Sequence, residues 1–242
     1  MGSKARLAKE LSPKINELII KNKLDTYIEP FVGGANLIEH IKCKRKIGSD
    51  NNEYLIALWN ALQDGWIPPG EISRELYNDI KDNKSKYTKE MVAVAGFCAT
   101  YNAKWFGGYA GIVKTKINTY RNYYDESIRN LLKQASKLTE VEFLHSDYAY
   151  YSNFSNALIY CDPPYQGTTQ YGSSQGFDYD GFWNWVRVMS QKNLVLISEY
   201  NAPDDFNCIF EKSLTTTLDK SSRKQDVEKL FIYKGKTYEM SV

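Results

Sequence analysis

Asp162-Pro163-Pro164-Tyr165, placed directly after the apolar run Ala157-Leu158-Ile159-Tyr160-Cys161, is the stretch best equipped for chemistry. The run reads as a buried strand, and two consecutive prolines cannot continue its ladder. At the strand's carboxyl edge Asp162 offers carboxylate oxygens, Pro163 and Pro164 offer carbonyls on a stiff backbone, and Tyr165 offers a flat ring. Two acceptors beside an aromatic face suit a planar heterocycle with an exocyclic amine, adenine or cytosine. The plain alternative is a Pro-Pro turn in which Asp162 closes an Asx-turn and Tyr165 packs nearby.

Such a site needs elements that aim it. The 242 residues suffice for one domain with a large insertion or for two modest domains. A hydrophobic share of 43% and a charged share of 25% are those of a globular protein. The net charge is only +2, so any nucleic-acid partner must be met by locally arranged positive charge. The 19 tyrosines and five tryptophans supply stacking surfaces as well as core. Cys43, Cys98, Cys161 and Cys208 lie far apart and only two histidines are present, which argues against a metal site. No signal peptide precedes Lys4 and no apolar run approaches the roughly 18 residues of a membrane span, so a reducing, cytoplasmic setting is expected.

Taken in order, Leu7, Leu11, Ile15, Leu18 and Ile19 have helical spacing, with Pro13 expected to kink that helix or begin its second part. Lys4 at the helix entrance can meet a carboxylate or phosphate, or be a solvated terminal lysine. Tyr27 to Phe31 then leads into Gly33-Gly34-Ala35, a strand and glycine turn where an open α/β sheet binds nucleotide-like ligands, although the full Gly-x-Gly-x-x-Gly fingerprint is absent. The next strand ends on Asp50, roughly 20 residues on, suited to ribose hydroxyls or to capping the following helix. Asp147 ends another short strand and can take an adenine amine or cap a helix, while His145, among apolar residues, is expected to be packed rather than to act as a base.

Between 65 and 138 the strand–helix alternation stops. Helices are expected over 71–81, 89–100 and 121–138, with an aromatic, glycine-rich stretch between the last two. There Tyr101, Asn102, Lys104 and Trp105, followed by Lys114 and Lys116, suit contacts to bases and phosphates; a helical lid is the competing reading. After Tyr165, residues 166–176 are expected to form a mobile loop over substrate, 179–189 a helix, 194–197 a strand, and the tail two strands around a basic turn.

In their order, Gly2-Ser3-Lys4, Glu29-Pro30-Phe31-Val32-Gly33-Gly34, Ser49-Asp50-Asn51, Ser146-Asp147-Tyr148 and Asp162-Pro163-Pro164-Tyr165 resemble the Dam-like, D12 class of DNA adenine N6-methyltransferases in its alpha arrangement. The resemblance spans nearly the whole chain. It implies a Rossmann-like class I methyltransferase sheet, mostly parallel with an antiparallel C-terminal strand. The catalytic domain would comprise 1–64 and 139–242, with an inserted helical recognition domain at 65–138. It implies S-adenosylmethionine as methyl donor and double-stranded DNA as partner, with a restriction endonuclease as a conceivable second partner. Lys4 with the turn through Phe31, Gly33 and Gly34 would surround the donor's methionine portion, Asp50 its ribose and Asp147 its adenine, with Glu29, Pro30 and Tyr148 also among the cofactor-binding residues. Ala35 departs from the glycine commoner in that turn. Asp162, Pro163, Pro164 and Tyr165 would hold a flipped adenine for methyl transfer. Two rivals are an RNA adenine or cytosine N4 methyltransferase and a non-catalytic DNA-binding module on the same fold.

Overall fold

The computed structural model describes residues 5–114, 118–166, 176–215 and 225–235. The first half contains α1 (Ala5–Lys21), β1 (Thr26–Glu29), β2 (Arg45–Asp50), α2 (Glu53–Gln63), α3 (Arg74–Asp82), α4 (Lys89–Cys98), the short strands β3 (Ile112–Lys114) and β4 (Tyr120–Asn122), and α5 (Tyr123–Ala135). The second half contains β5 (Val141–His145), β6 (Ala157–Cys161), α6 (Tyr179–Met189), β7 (Leu194–Glu199), β8 (Phe206–Thr215) and β9 (Gln225–Tyr233).

Seven strands form one sheet in the order β5-β2-β1-β6-β7-β9-β8. The first five run parallel, while β9 is antiparallel to both β7 and β8. Ile28 of β1 pairs with Ile47 on one side and Ile159 on the other, so β1 is central. Burial on both faces explains why β6 and residues 194–197 of β7 are continuous apolar runs rather than alternating ones. Successive residues of β6 feed opposite faces: Leu158 and Tyr160 join the core under α1, α2, α4 and α5, whereas Ile159 and Cys161 join the core under α6.

The chain winds outward from β1 through β2 to β5, then returns to place β6 on the other side of β1. Strand order therefore reverses between β1 and β6, and the crevice at their carboxyl ends is where an open α/β sheet binds its ligands.

The described elements within 65–138 pack onto the core of the sheet. Val92, Ala95 and Leu131 belong to the same buried cluster as Leu158 of the sheet. Pro13 lies inside the single span of α1. Two local expectations differ from the structure. The helix expected from 121 begins at Tyr123, because Tyr120–Asn122 pairs as β4 with β3 and Asn122 then caps α5 through Asp125 N–H at 3.1 Å. His145 is exposed at the end of β5, its Nε2 3.2 Å from the Asn51 carbonyl, since the strand's polar end projects beyond the core. Among the described residues no helix is long and apolar enough to cross a membrane.

Candidate active site

A cavity of about 640 Å³ opens over the crevice, lined by Glu29 to Gly34, Asp50, Asp147, Tyr148 and Asp162 to Tyr165 among others. These residues lie on four different strand ends, and the parallel register of β5, β2, β1 and β6 brings them to one rim. The site residues expected for cofactor and catalysis thus meet in a single cavity, apart from Lys4, which lies outside the described residues.

The turn after β1 is tied down from several directions. Val32 N–H donates to Ser49 O at 2.8 Å, and Gly33 N–H donates to Asp50 Oδ2 at 3.1 Å. The Gly33 carbonyl accepts from Trp59 Nε1 at 3.2 Å, and the Gly34 carbonyl accepts from Gln134 Nε2 at 2.8 Å. Gly33 and Ala35 both take left-handed backbone, with φ of 47° and 52°. Glycine adopts that conformation without strain, while Ala35 does so with its methyl group buried. A Cβ added at Gly33 would meet nothing nearer than the Phe31 carbonyl at 4.0 Å, so glycine leaves an open face towards the cavity.

Asp50 does not cap α2. Asn52 does, accepting from Tyr54 N–H and Leu55 N–H at 3.1 and 3.2 Å. Asp50 Oδ1 instead accepts from Asn52 N–H at 2.9 Å, and each carboxylate oxygen keeps a second lone pair for a ligand hydroxyl. Burial lifts the Asp50 carboxyl above its ordinary pKa, against the opposing pull of the Asn52 and Gly33 amides. Asp147 does cap the short 3-10 segment Tyr148–Asn153, accepting from Ala149 N–H at 2.9 Å and Tyr150 N–H at 3.3 Å. Both bonds use Oδ1, so its carboxylate can cap the turn and still present Oδ2. Phe31 and Tyr148 stack at 5.9 Å with an interplanar angle of 27°, and Phe177 meets Phe31 edge-on at 5.9 Å, forming an aromatic wall.

Tyr165 lines the same cavity. Its hydroxyl donates to Glu228 Oε2 at 2.6 Å and lies 3.1 Å from Ser198 Oγ, and its ring meets Tyr200 edge-on at 4.6 Å. Burial, together with the carboxylates of Asp162 and Glu228, drives this hydroxyl far above the ordinary tyrosine pKa, so it stays a donor. Buried Glu199 secures the next link, accepting from Gln166 N–H at 3.1 Å and Tyr200 N–H at 2.7 Å. Glu29, fully enclosed, accepts from the Tyr27 hydroxyl at 3.1 Å; burial raises its carboxyl pKa, and nearby Asp162 adds to the rise.

The described lining carries the carboxylates of Glu29, Asp50, Asp147, Asp162, Asp178 and Glu228, and no Lys, Arg or His. A crevice with that lining favours a cationic ligand with hydroxyl and amine donors. A family model for D12 class N6 adenine-specific DNA methyltransferases matches residues 1–192. The chain belongs to that family.

Among curated relatives, it is 23% identical to the Type II methyltransferase M.FokI of Planomicrobium okeanokoites, over 84% of this chain and 33% of that protein. It is 26% identical to the Type II methyltransferase M.MjaIII of Methanocaldococcus jannaschii, over 87% of this chain and 86% of that protein. The chain therefore spans about a third of the first relative's length and most of the second's. Among solved structures, the rRNA methyltransferase aviRa of Streptomyces viridochromogenes aligns over 97% of this chain and 86% of its own, with 10% identity and a TM-score of 0.48.

Within this D12 family member, the residues expected to meet DNA divide. Tyr101, Asn102, Lys104 and Lys114 are exposed, with Tyr101 edge-on to Tyr123 at 5.4 Å and Asn102 in left-handed backbone. Trp105 is half-buried, its ring 4.6 Å from Phe97 and 5.4 Å from Tyr54, so the packing of α4 and α2 accounts for it. Lys116 and most of the loop expected at 166–176 lie outside the described residues. Sequence reasoning missed Glu228, Ser198 and Asp178. Asp178 carries a local signal, since it accepts from Gly181 N–H at 2.9 Å as the cap of α6. Glu228 carries none, because only the pairing of β9 with β7 brings it to the rim.

Proposed function

We propose that this chain transfers a methyl group from S-adenosylmethionine to the N6 amine of adenine in duplex DNA. The observation that carries the reading is the meeting of Asp162-Pro163-Pro164-Tyr165 with the glycine turn, Asp50 and Asp147 in one cavity at the sheet's switch point. The donor fits this lining: its sulfonium is cationic where the lining is anionic, and Gly33 leaves an open face. Asp50 would take ribose hydroxyls, Asp147 the adenine amine, and the Phe31–Tyr148 wall the apolar faces. When bound, S-adenosylmethionine supplies an electrophilic methyl on a leaving group that needs no acid.

The rest is done by the chain. Adenine N6 is buried in a duplex, so the base would be turned out into the cavity at a cost of a few kcal/mol. Tyr165 would stack on its ring. Asp162 and the Pro163 carbonyl would accept the two amine hydrogens, holding the nitrogen lone pair toward the methyl and stabilising the charge that grows on nitrogen. Because both acceptors sit on a rigid turn at a strand end, little reorganisation accompanies the reaction.

The exposed Tyr101, Asn102, Lys104 and Lys114 would face the DNA, leaving Trp105 to support them from beneath. The type II naming of the relatives favours a restriction endonuclease as partner, and a cytoplasmic setting would suit both. Sequencing the DNA of a host expressing the chain, with detection of modified adenines, tests the reading. N6-methyladenine at one recurring sequence is expected. Modified cytosine, or methyl groups only in RNA, would replace it with a rival.

A further inference from the structure

We propose that Glu228 is the positioning residue of the catalytic motif, fixing the plane of the Tyr165 ring by holding its hydroxyl from β9. The inference rests on the proposed function and assigns a part of that site supplied by residues beyond the 1–192 matched by the family model.

A tyrosine on a Pro-Pro turn is anchored at its backbone, while its ring retains two side-chain torsions. Stacking on an extruded base needs the ring plane defined before the base arrives, or the ordering is charged against binding. Here the far end of the ring is also held. Its hydroxyl donates to Glu228 Oε2 at 2.6 Å, within the range of a charge-assisted bond, and Ser198 Oγ lies 3.1 Å away on the other side. Tyr200 closes the edge at 4.6 Å and 82°. Glu228 stands on β9, one residue beyond its pairing with β7 and opposite Lys212 in the β8–β9 register, where the Lys212 ammonium is itself paired with Glu10. The antiparallel strand at this edge thus has a function besides completing the sheet. Since Glu228 also lines the cavity, a direct contact with the base is the alternative.

The test compares E228A, E228Q, Y165F and the E228A/Y165F double variant in the full chain, using plasmid DNA whose modified adenines have been mapped. E228A and Y165F should each lower kcat by about tenfold, the scale of one hydrogen bond to a charged group. The double variant should be no slower than the worse single, since both remove the same bond. E228Q, whose amide oxygen still accepts the hydroxyl, should recover most of what E228A loses, a rescue that a role through the carboxylate's charge alone would not give. Losses that multiply in the double variant, or E228A equal to the native chain, would overturn the proposal. Should E228A fail to fold, Y165F and E228Q decide: native kcat in Y165F overturns it. A native chain that binds S-adenosylmethionine but methylates no adenine removes the proposed function, and this inference with it.

Discussion

Gln134 of α5 donates from Nε2 to the Gly34 carbonyl at 2.8 Å, across 100 residues of sequence. Helix α5 therefore grips the turn proposed to cradle the cofactor. Gln134→Ala leaves that carbonyl with a lost bond worth about 0.5–1.5 kcal/mol, so S-adenosylmethionine affinity should fall roughly two- to tenfold although Gln134 does not line the cavity. Isothermal calorimetry reads this directly. An unchanged Kd would show that Trp59 and Asp50 suffice to hold the turn.

Asp162→Ala removes one of the two acceptors proposed for the amine while leaving Asp50, Asp147 and the glycine turn in place. Methyl transfer should fall by at least about a hundredfold, the scale set by losing one preorganised group at a developing charge. Cofactor binding should change little. Single-turnover transfer of labelled methyl to duplex DNA checks the first, calorimetry the second; native transfer rates would refute the role.

The parts of the site that the sequence reveals are those made by single strand ends. Asp162 to Tyr165 and Gly33-Gly34 announce themselves because prolines and glycines terminate strands for local reasons, and parallel strands place their carboxyl ends together. Glu228 stays hidden because its position depends on β9 inserting antiparallel between β7 and β8, a non-local event. The packing of α4 and α5 on the sheet is hidden for the same reason: their apolar spacing marks helices without saying which core they join. Trp105 shows the cost of reading composition alone, since an aromatic, lysine-bearing stretch looks the same whether its rings face a partner or a helix.

That packing makes Gly96 sensitive. A Cβ there would lie 2.5 Å from the Trp105 ring and 2.8 Å from Phe106, and these rings pack on α4 through ring contacts that leave them little room. Gly96→Ala should destabilise by about 1–3 kcal/mol despite alanine's better helix propensity. Denaturant unfolding with an unchanged m-value would confirm it; a gain in stability would mean that Trp105 shifts freely.

Lys114, exposed on β3, makes a separable prediction. If it neutralises a phosphate, Lys114→Ala should weaken DNA binding by a similar factor for target and non-target sequences, and should reduce the slope of log K against log salt by about 1. Fluorescence anisotropy over a salt series measures both. A loss confined to the target sequence would instead make Lys114 a reader of bases.

Glu29 gives the pH dependence a sign. Burial raises its carboxyl pKa well above the ordinary 4.5, Asp162 adds to the rise, and the hydrogen bonds from Tyr27 and Ile38 oppose it. Between the unfolded and folded pKa values the native state holds a proton that the unfolded chain has released. The contribution of Glu29 to stability must therefore fall as pH rises from about 4.5 through the folded value, and level off above it. Glu29→Gln carries no ionisable proton, and its amide oxygen still accepts from the Tyr27 hydroxyl. In thermal melts without ligand, the variant should match the native chain near pH 4.5 and melt at a higher temperature above the folded pKa. Parallel melting curves at every pH would mean that Glu29 ionises alike in both states, and that the carboxylates of this cavity are better solvated than their burial implies.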